Sequence, residues 1–162
     1  MASTHDYKID KRNEKIKIYV DGQFYTRNDA KISVMDSGYL LGDGVWEGIR
    51  LHKNKLIHVN EHLKRLYEGA DKISMKIGLK PKVLKSILYD TLKQNNMNSD
   101  VHIRLIISRG IKSTPYQHPK VTIGDPSIVI IPEYKKASIN VIENGITSVS
   151  YTHLTLPTIL LV

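Results

Sequence analysis

The chain has 162 residues and a mass of 18.4 kDa, enough for one domain that buries roughly 70% of the surface its unfolded form exposes. Apolar residues at 41% and charged residues at 25% exclude disordered and low-complexity classes, and zero cysteines exclude disulfide scaffolds, thiolate zinc sites and cysteine nucleophiles. The net charge of +8 comes from 24 Lys+Arg against 16 Asp+Glu, but the lysines are spread, usually singly, from Lys8 to Lys136, as on a solvated surface and unlike the basic stripe of a nucleic-acid binder. The N-terminus has no basic-then-apolar order, and no apolar run approaches the roughly 20 residues of a membrane span. The expectation is a soluble, cytoplasmic protein with no nucleic-acid and no membrane partner.

Residues 1–15 read as a flexible N-terminus. From Ile16 the alternation of Ile16, Ile18 and Val20, the turn pair Asp21-Gly22 and Phe24 predict a hairpin. A second extended stretch is expected from Ile32 to Met35, leading into the glycine-rich segment Gly38 to Gly44. Val45 to His52 and Leu56 to Val59, around Lys53-Asn54-Lys55, suggest another hairpin. Leu63, Leu66, Tyr67, Ala70 and Ile73 recur at helical spacing, so an amphipathic helix is predicted over 60–76 with Asn60 as its N-cap. Pro81 suits the first turn of a second helix, which carries Val83, Leu84, Ile87, Leu88 and Leu92 to about Asn95. Strands are expected at Val101 to Ser108 and Ser127 to Pro132, and a last strand or hairpin at Ile139 to Val149. Strands, two helices and more strands indicate an α+β domain with an antiparallel sheet.

Few residues announce chemistry on their own. Gly42, Gly44 and Gly48 fail as a dinucleotide fingerprint because the spacing is wrong and a strand follows instead of a helix. They read better as a tight turn or a close backbone approach. His52, His58 and His62 do not form the helical pair of a metal site, so no metal is expected. No motif of a hydrolase or a phosphoryl-transfer enzyme is present.

Taken in order, Ile-Tyr-Val-Asp-Gly (18–22), Gly-Tyr-Leu-Leu-Gly-Asp-Gly-Val-Trp-Glu-Gly-Ile-Arg (38–50), Asn-Glu-His-Leu-Lys-Arg-Leu-Tyr (60–67) and His-Ile-Arg-Leu-Ile-Ile-Ser-Arg-Gly (102–110) resemble the class IV, or fold-type IV, pyridoxal-phosphate aminotransferases. The resemblance implies the small N-terminal domain of the D-amino-acid-aminotransferase-like fold over residues 16–150. It implies pyridoxal 5′-phosphate as cofactor, with Arg65 on its phosphate. A guanidinium suits that task through its fixed, bidentate charge. The plain alternative for Arg65 is an exposed helix residue paired with Glu61. Trp46 stands at the family's aromatic wall, although a lone tryptophan is often core, and Gly48 is expected to leave room for substrate. Arg104 matches the arginine that branched-chain enzymes place near the substrate carboxylate. Branched-chain enzymes commonly have tyrosines where Leu41 and His102 stand, and a histidine at the second position is closer to D-amino-acid aminotransferases. Arg104 favours the branched-chain type, with 2-oxoglutarate as acceptor. D-amino-acid aminotransferase and aminodeoxychorismate lyase are the alternatives within the family. A non-catalytic basic module binding a polyanion is the alternative outside it.

In such a family the Schiff-base lysine follows the segment matching Ile139 to Ser150, and no lysine follows Lys136 here. No acidic residue follows Glu143, and residues 151–162 look like a non-native read-through tail. The expectation is therefore an N-terminal fragment, inactive alone, of an enzyme that is a homodimer at full length.

Overall fold

The computed structural model describes residues 9–136 together with Glu143 and Gly145. The strand or hairpin expected at Ile139 to Val149 lies outside the described residues. Asp10 caps a 3-10 turn at Lys11–Lys15 by accepting from the Arg12 amide, so the end of the segment expected to be flexible carries local structure. Strand β1 (Lys17–Val20) turns at Asp21-Gly22 into β2 (Gln23–Thr26). The turn needs left-handed backbone at both positions, which Asp21 and Gly22 adopt at φ 45° and 96°.

No strand forms at Ile32 to Met35. A short helix, α1 (Ser37–Leu41), occupies the segment expected to be a turn, because Asp36 accepts from the Gly38 amide at one end and Gly42 closes the other at φ 67°. Gly44 opens β3 (Gly44–His52), and a Cβ there would lie 2.5 Å from the Ile107 carbonyl, so the close backbone approach is real. Strand β4 is only Lys55–Leu56.

Helix α2 (Val59–Lys72) is capped by His58 in left-handed conformation with no side-chain hydrogen bond, not by Asn60. It stops at Lys72, four residues before the expected end, where Ser74 turns left-handed. Helix α3 (Pro81–Gln94) starts at its proline as anticipated. Strand β5 (Val101–Ser108) is followed by a small hairpin, β6 (Ile111–Lys112) with β7 (Thr122–Ile123), and by β8 (Ile128–Tyr134). The last strand is shifted towards Tyr134 because Val101 pairs with Tyr134 and His102 with Glu133.

The antiparallel main sheet has the order β2-β1-β8-β5-β3-β4. Alternation divides it into two faces. One face carries Ile49, Leu51, Val101, Ile103, Leu105, Ile107 and Ile130 against Leu63, Leu66 and Ala70 of α2 and Leu84, Leu88 and Leu92 of α3, all buried in one core. Each buried Val, Leu or Ile among them contributes about 1.5–3 kcal/mol relative to exposure. Neither α2 nor α3 packs on the opposite face, which the short α1 borders. Strand β4 pairs only with Leu51 and His52, so among the described residues β3 has no second strand neighbour from Gly44 to Gly48.

Candidate functional site

The open face brings four of the sequence-selected residues together. Trp46 pairs in register with Ile106, Gly48 with Arg104, and Arg50 with His102, so all six side-chain positions point the same way. The β5 side chains lean along the strands. The Arg104 guanidinium lies over the Trp46 ring at 4.5 Å from its centroid, a cation–π contact worth about 0.5–1 kcal/mol when exposed. Trp46 is 60% exposed, so it is not core. Arg104 has no carboxylate partner among the described residues.

A Cβ at 48 would stand 2.8 Å from Nε2 of His102, so the imidazole lies over the glycine. The missing side chain is what lets the ring lie across β3.

Beside Trp46 is an apolar cavity of about 550 Å³, lined by residues that include Ile18, Val20, Ile32, Tyr39, Ile106, Val129 and Ile131. Asp36 and Ser108 form its polar floor. Their side chains are joined by a 2.6 Å hydrogen bond from the serine hydroxyl. Leu41, at the end of α1, is partly exposed and lies outside the lining residues.

Arg65 belongs to the other side of β3. It does not pair with Glu61. Its Nε donates to Oε1 of Glu47 at 2.7 Å and its Nη2 to Oε2 at 2.6 Å. His62 Nδ1 is 2.8 Å from the same Oε2. A carboxylate has no hydrogen to give, so that nitrogen carries the proton. Burial would push the Glu47 carboxyl up, but the hydrogen bonds from Arg65 and His62 outweigh it and hold it below the ordinary carboxylate range. Glu47 is 5% exposed, whereas the Arg65 side chain is 68% exposed and its Nη1 has no partner among the described residues. The positively charged end of Arg65 therefore faces solvent, braced from behind. Sequence reading overlooked Glu47, although a signal existed: it stands at a core position of β3, in phase with Ile49 and Leu51.

His102 has its pKa lowered, first by burial and then by Arg50, Lys135 and Arg104, with Glu133 opposing. The ring is thus neutral at pH 7. The unfolded chain takes up the proton near the ordinary 6.5 and the folded chain only at lower pH, so His102 removes stability as pH falls below 6.5 towards its folded pKa. We expect its ring resonances to titrate with a midpoint below 6.5, and His102→Phe to flatten the acid side of the thermal-stability profile. A midpoint at or above 6.5 would contradict the enclosed position of the ring.

The family model described as amino-transferase class IV matches residues 44–153. A putative branched-chain-amino-acid aminotransferase of Methanocaldococcus jannaschii is 38% identical over 116 residues, covering 72% of this chain and 39% of that protein. A D-alanine aminotransferase of Listeria innocua is 37% identical over 103 residues, 64% of this chain and 35% of that one. Among solved structures, the branched-chain aminotransferase of Thermoproteus uzoniensis with norvaline superposes with TM-score 0.62 at 24% identity, over 73% of this chain and 40% of that one. The branched-chain amino acid aminotransferase from Escherichia coli gives 0.63 at 22%, over 74% and 41%. The structural likenesses establish the fold, and the chain spans well under half the length of each of these proteins.

Proposed function

The chain belongs to the class IV aminotransferase family, and on that premise we propose that it forms the substrate-facing wall and the phosphate anchor of a transaminase. The reaction is transfer of an amino group from a branched-chain or related amino acid to 2-oxoglutarate. The observation that carries this reading is the pairing of an uncompensated, stacked Arg104 with the apolar cavity beside Trp46. One element suits a carboxylate, the other an aliphatic side chain. A ligand with both is an apolar amino acid or its 2-oxo acid.

Class IV aminotransferases use pyridoxal phosphate, which when bound supplies the electron sink that makes loss of the amino acid's α-proton feasible. The residues fit it: Arg65 offers an exposed, fixed N–H edge of the kind that receives a phosphate. In this reading Arg65 holds the phosphate. Trp46 and the cavity wall exclude water from the substrate side chain, and Arg104 orients a carboxylate. Neutral His102 closes the sheet behind the substrate without adding charge. Leu41, outside the cavity lining, is assigned to the substrate surface by the family resemblance alone. The Schiff-base lysine is assigned to no residue among these 162.

The reading includes a homodimer and a cytoplasmic location. Exposed Ile32, Tyr39 and Trp46 beside one cavity support a surface that is covered in the assembled enzyme. The test is steady-state kinetics of the full-length enzyme that carries this chain, with L-leucine, L-valine and D-alanine as donors and 2-oxoglutarate as acceptor. The branched L-amino acids are expected to have the higher kcat/KM. Arg104→Leu is expected to raise the KM for 2-oxoglutarate about ten- to a hundredfold, the worth of a charge-assisted hydrogen bond. Preference for D-alanine, or unchanged kinetics in the variant, overturns the branched-chain assignment.

A further inference from the structure

Glu47 has no evident reason to be a carboxylate if stability alone is considered. It stands at a core position of β3, and a buried ion pair is often no better for stability than apolar residues of the same volume. What the carboxylate does provide is orientation. A guanidinium has two bidentate edges, one formed by Nε and a terminal nitrogen and one by the two terminal nitrogens. Glu47 occupies the first edge of Arg65 through both oxygens. Of the second edge, Nη1 is unpartnered among the described residues and Nη2 lies 3.2 Å from Nδ1 of His62, on a side chain that is 68% exposed. His62 donates to Oε2 of Glu47 and prevents the carboxylate from following the guanidinium if it swings outward.

We propose that Glu47, held by His62, is a positioning residue that presents the outer edge of Arg65 as a preformed receptor for a phosphate monoester. The inference rests on the reading of Arg65 as the phosphate anchor and deepens it. Without Glu47 the long arginine side chain would sample many rotamers on the surface of α2 and would have to be ordered by the ligand. With Glu47 that ordering is already present in the free protein, which lowers the cost of binding. The arrangement retains a negative charge near a site for an anion. Orientation, and not net positive charge, is therefore what the arrangement favours.

The experiment compares pyridoxamine 5′-phosphate with pyridoxamine, which differ only in the phosphate and form no imine with surface lysines. Binding to the 162-residue chain is followed at the Arg65 Nε–H resonance by NMR, in the unsubstituted chain and in Arg65→Lys, Glu47→Asp and Glu47→Gln, with a backbone amide reporter on α2 where the arginine is absent. Glu47→Asp keeps the charge but draws the carboxylate back by one methylene. It is expected to lower the preference for the phosphorylated ligand about tenfold, the lower end of the range for a charge-assisted hydrogen bond. Glu47→Gln keeps the volume but can accept from only one of the two N–H groups, and is expected to fall between. Adding Glu47→Asp to Arg65→Lys is expected to cause no further loss.

Outcomes separate the two ideas. If Arg65→Lys lowers the preference while both Glu47 variants keep or raise it, the inference fails and the reading of Arg65 stands. Equal weakening of both ligands by the Glu47 variants assigns Glu47 a structural role and likewise overturns the inference. No phosphate-dependent response at Arg65 in the unsubstituted chain overturns the reading and the inference together.

Discussion

Arg109→Ala is expected to destabilise the domain by about 3 kcal/mol or more, as breaking a largely buried ion pair does. The side chain joins three parts of the fold. Its Nε and Nη2 donate to the two carboxylate oxygens of Asp43 at 2.7 and 3.0 Å. Its Nη2 and Nη1 also reach the carbonyls of Ile73 and Ser74, just past the end of α2, at 2.8 and 3.0 Å. The two charged side chains are only 13% and 20% exposed. Alanine would leave Asp43 without its counter-charge and the helix-end carbonyls without donors, so the cost is the desolvation of stranded groups as well as the lost bonds. Arg109→Lys keeps the charge but not the fork, and should recover part of the loss. Urea unfolding measures it: a midpoint unchanged in Arg109→Ala would show that the clamp contributes nothing net.

Gly110→Ala is expected to be as severe for a different reason. Gly110 has φ 103°, and a Cβ there would lie 2.4 Å from the Asp125 carbonyl oxygen. Backbone strain of this kind and forced overpacking each cost about 1–3 kcal/mol. Relief is difficult, because the Gly110 carbonyl accepts from the Ser37 amide at 2.9 Å and its own amide donates to Ser108 Oγ. Movement of Gly110 would therefore disturb α1 and the floor of the cavity. Thermal unfolding of Gly110→Ala should show a clear fall in midpoint, whereas Gly124→Ala, which has a positive φ but no neighbour within 4 Å, should show a smaller one. Equal effects would mean that strain alone, without the contact to Asp125, governs both positions.

The elements that are legible in the sequence are those whose cause is local. Asp21-Gly22 dictates its own turn, Pro81 starts its own helix, and the apolar alternation of β5 needs no distant partner to be read. The short helix at Ser37–Leu41 escapes such reading because five residues carry no period, and its stability comes from Asp36 at one end and a left-handed Gly42 at the other. The start of α2 differs from expectation because a left-handed His58 stands at the cap in place of the capping side chain that Asn60 offers. The site residues divide in the same way. Trp46, Gly48, His102 and Arg104 gather because strand register forces them to. Gly48 has the His102 ring over it, which only the cross-strand packing reveals. Arg65 stands out by resemblance, but its true partner is 18 residues away in another element, beyond any helical spacing rule.

The sheet order also has a consequence in time. Strand β8 is the last of the described strands to be synthesised, yet it sits between β1 and β5, and the contact from Asp21 to Ile128 spans 107 residues. At ribosomal speeds, that interval lasts about 5–20 s. During it β1 lacks its second partner in the sheet, and β5, once made, has an open edge. Closure of the sheet is therefore its most non-local pairing, of the kind that slows folding, and a nascent chain halted before Ile128 presents two unpaired edges of the same sheet to whatever binds extended backbone.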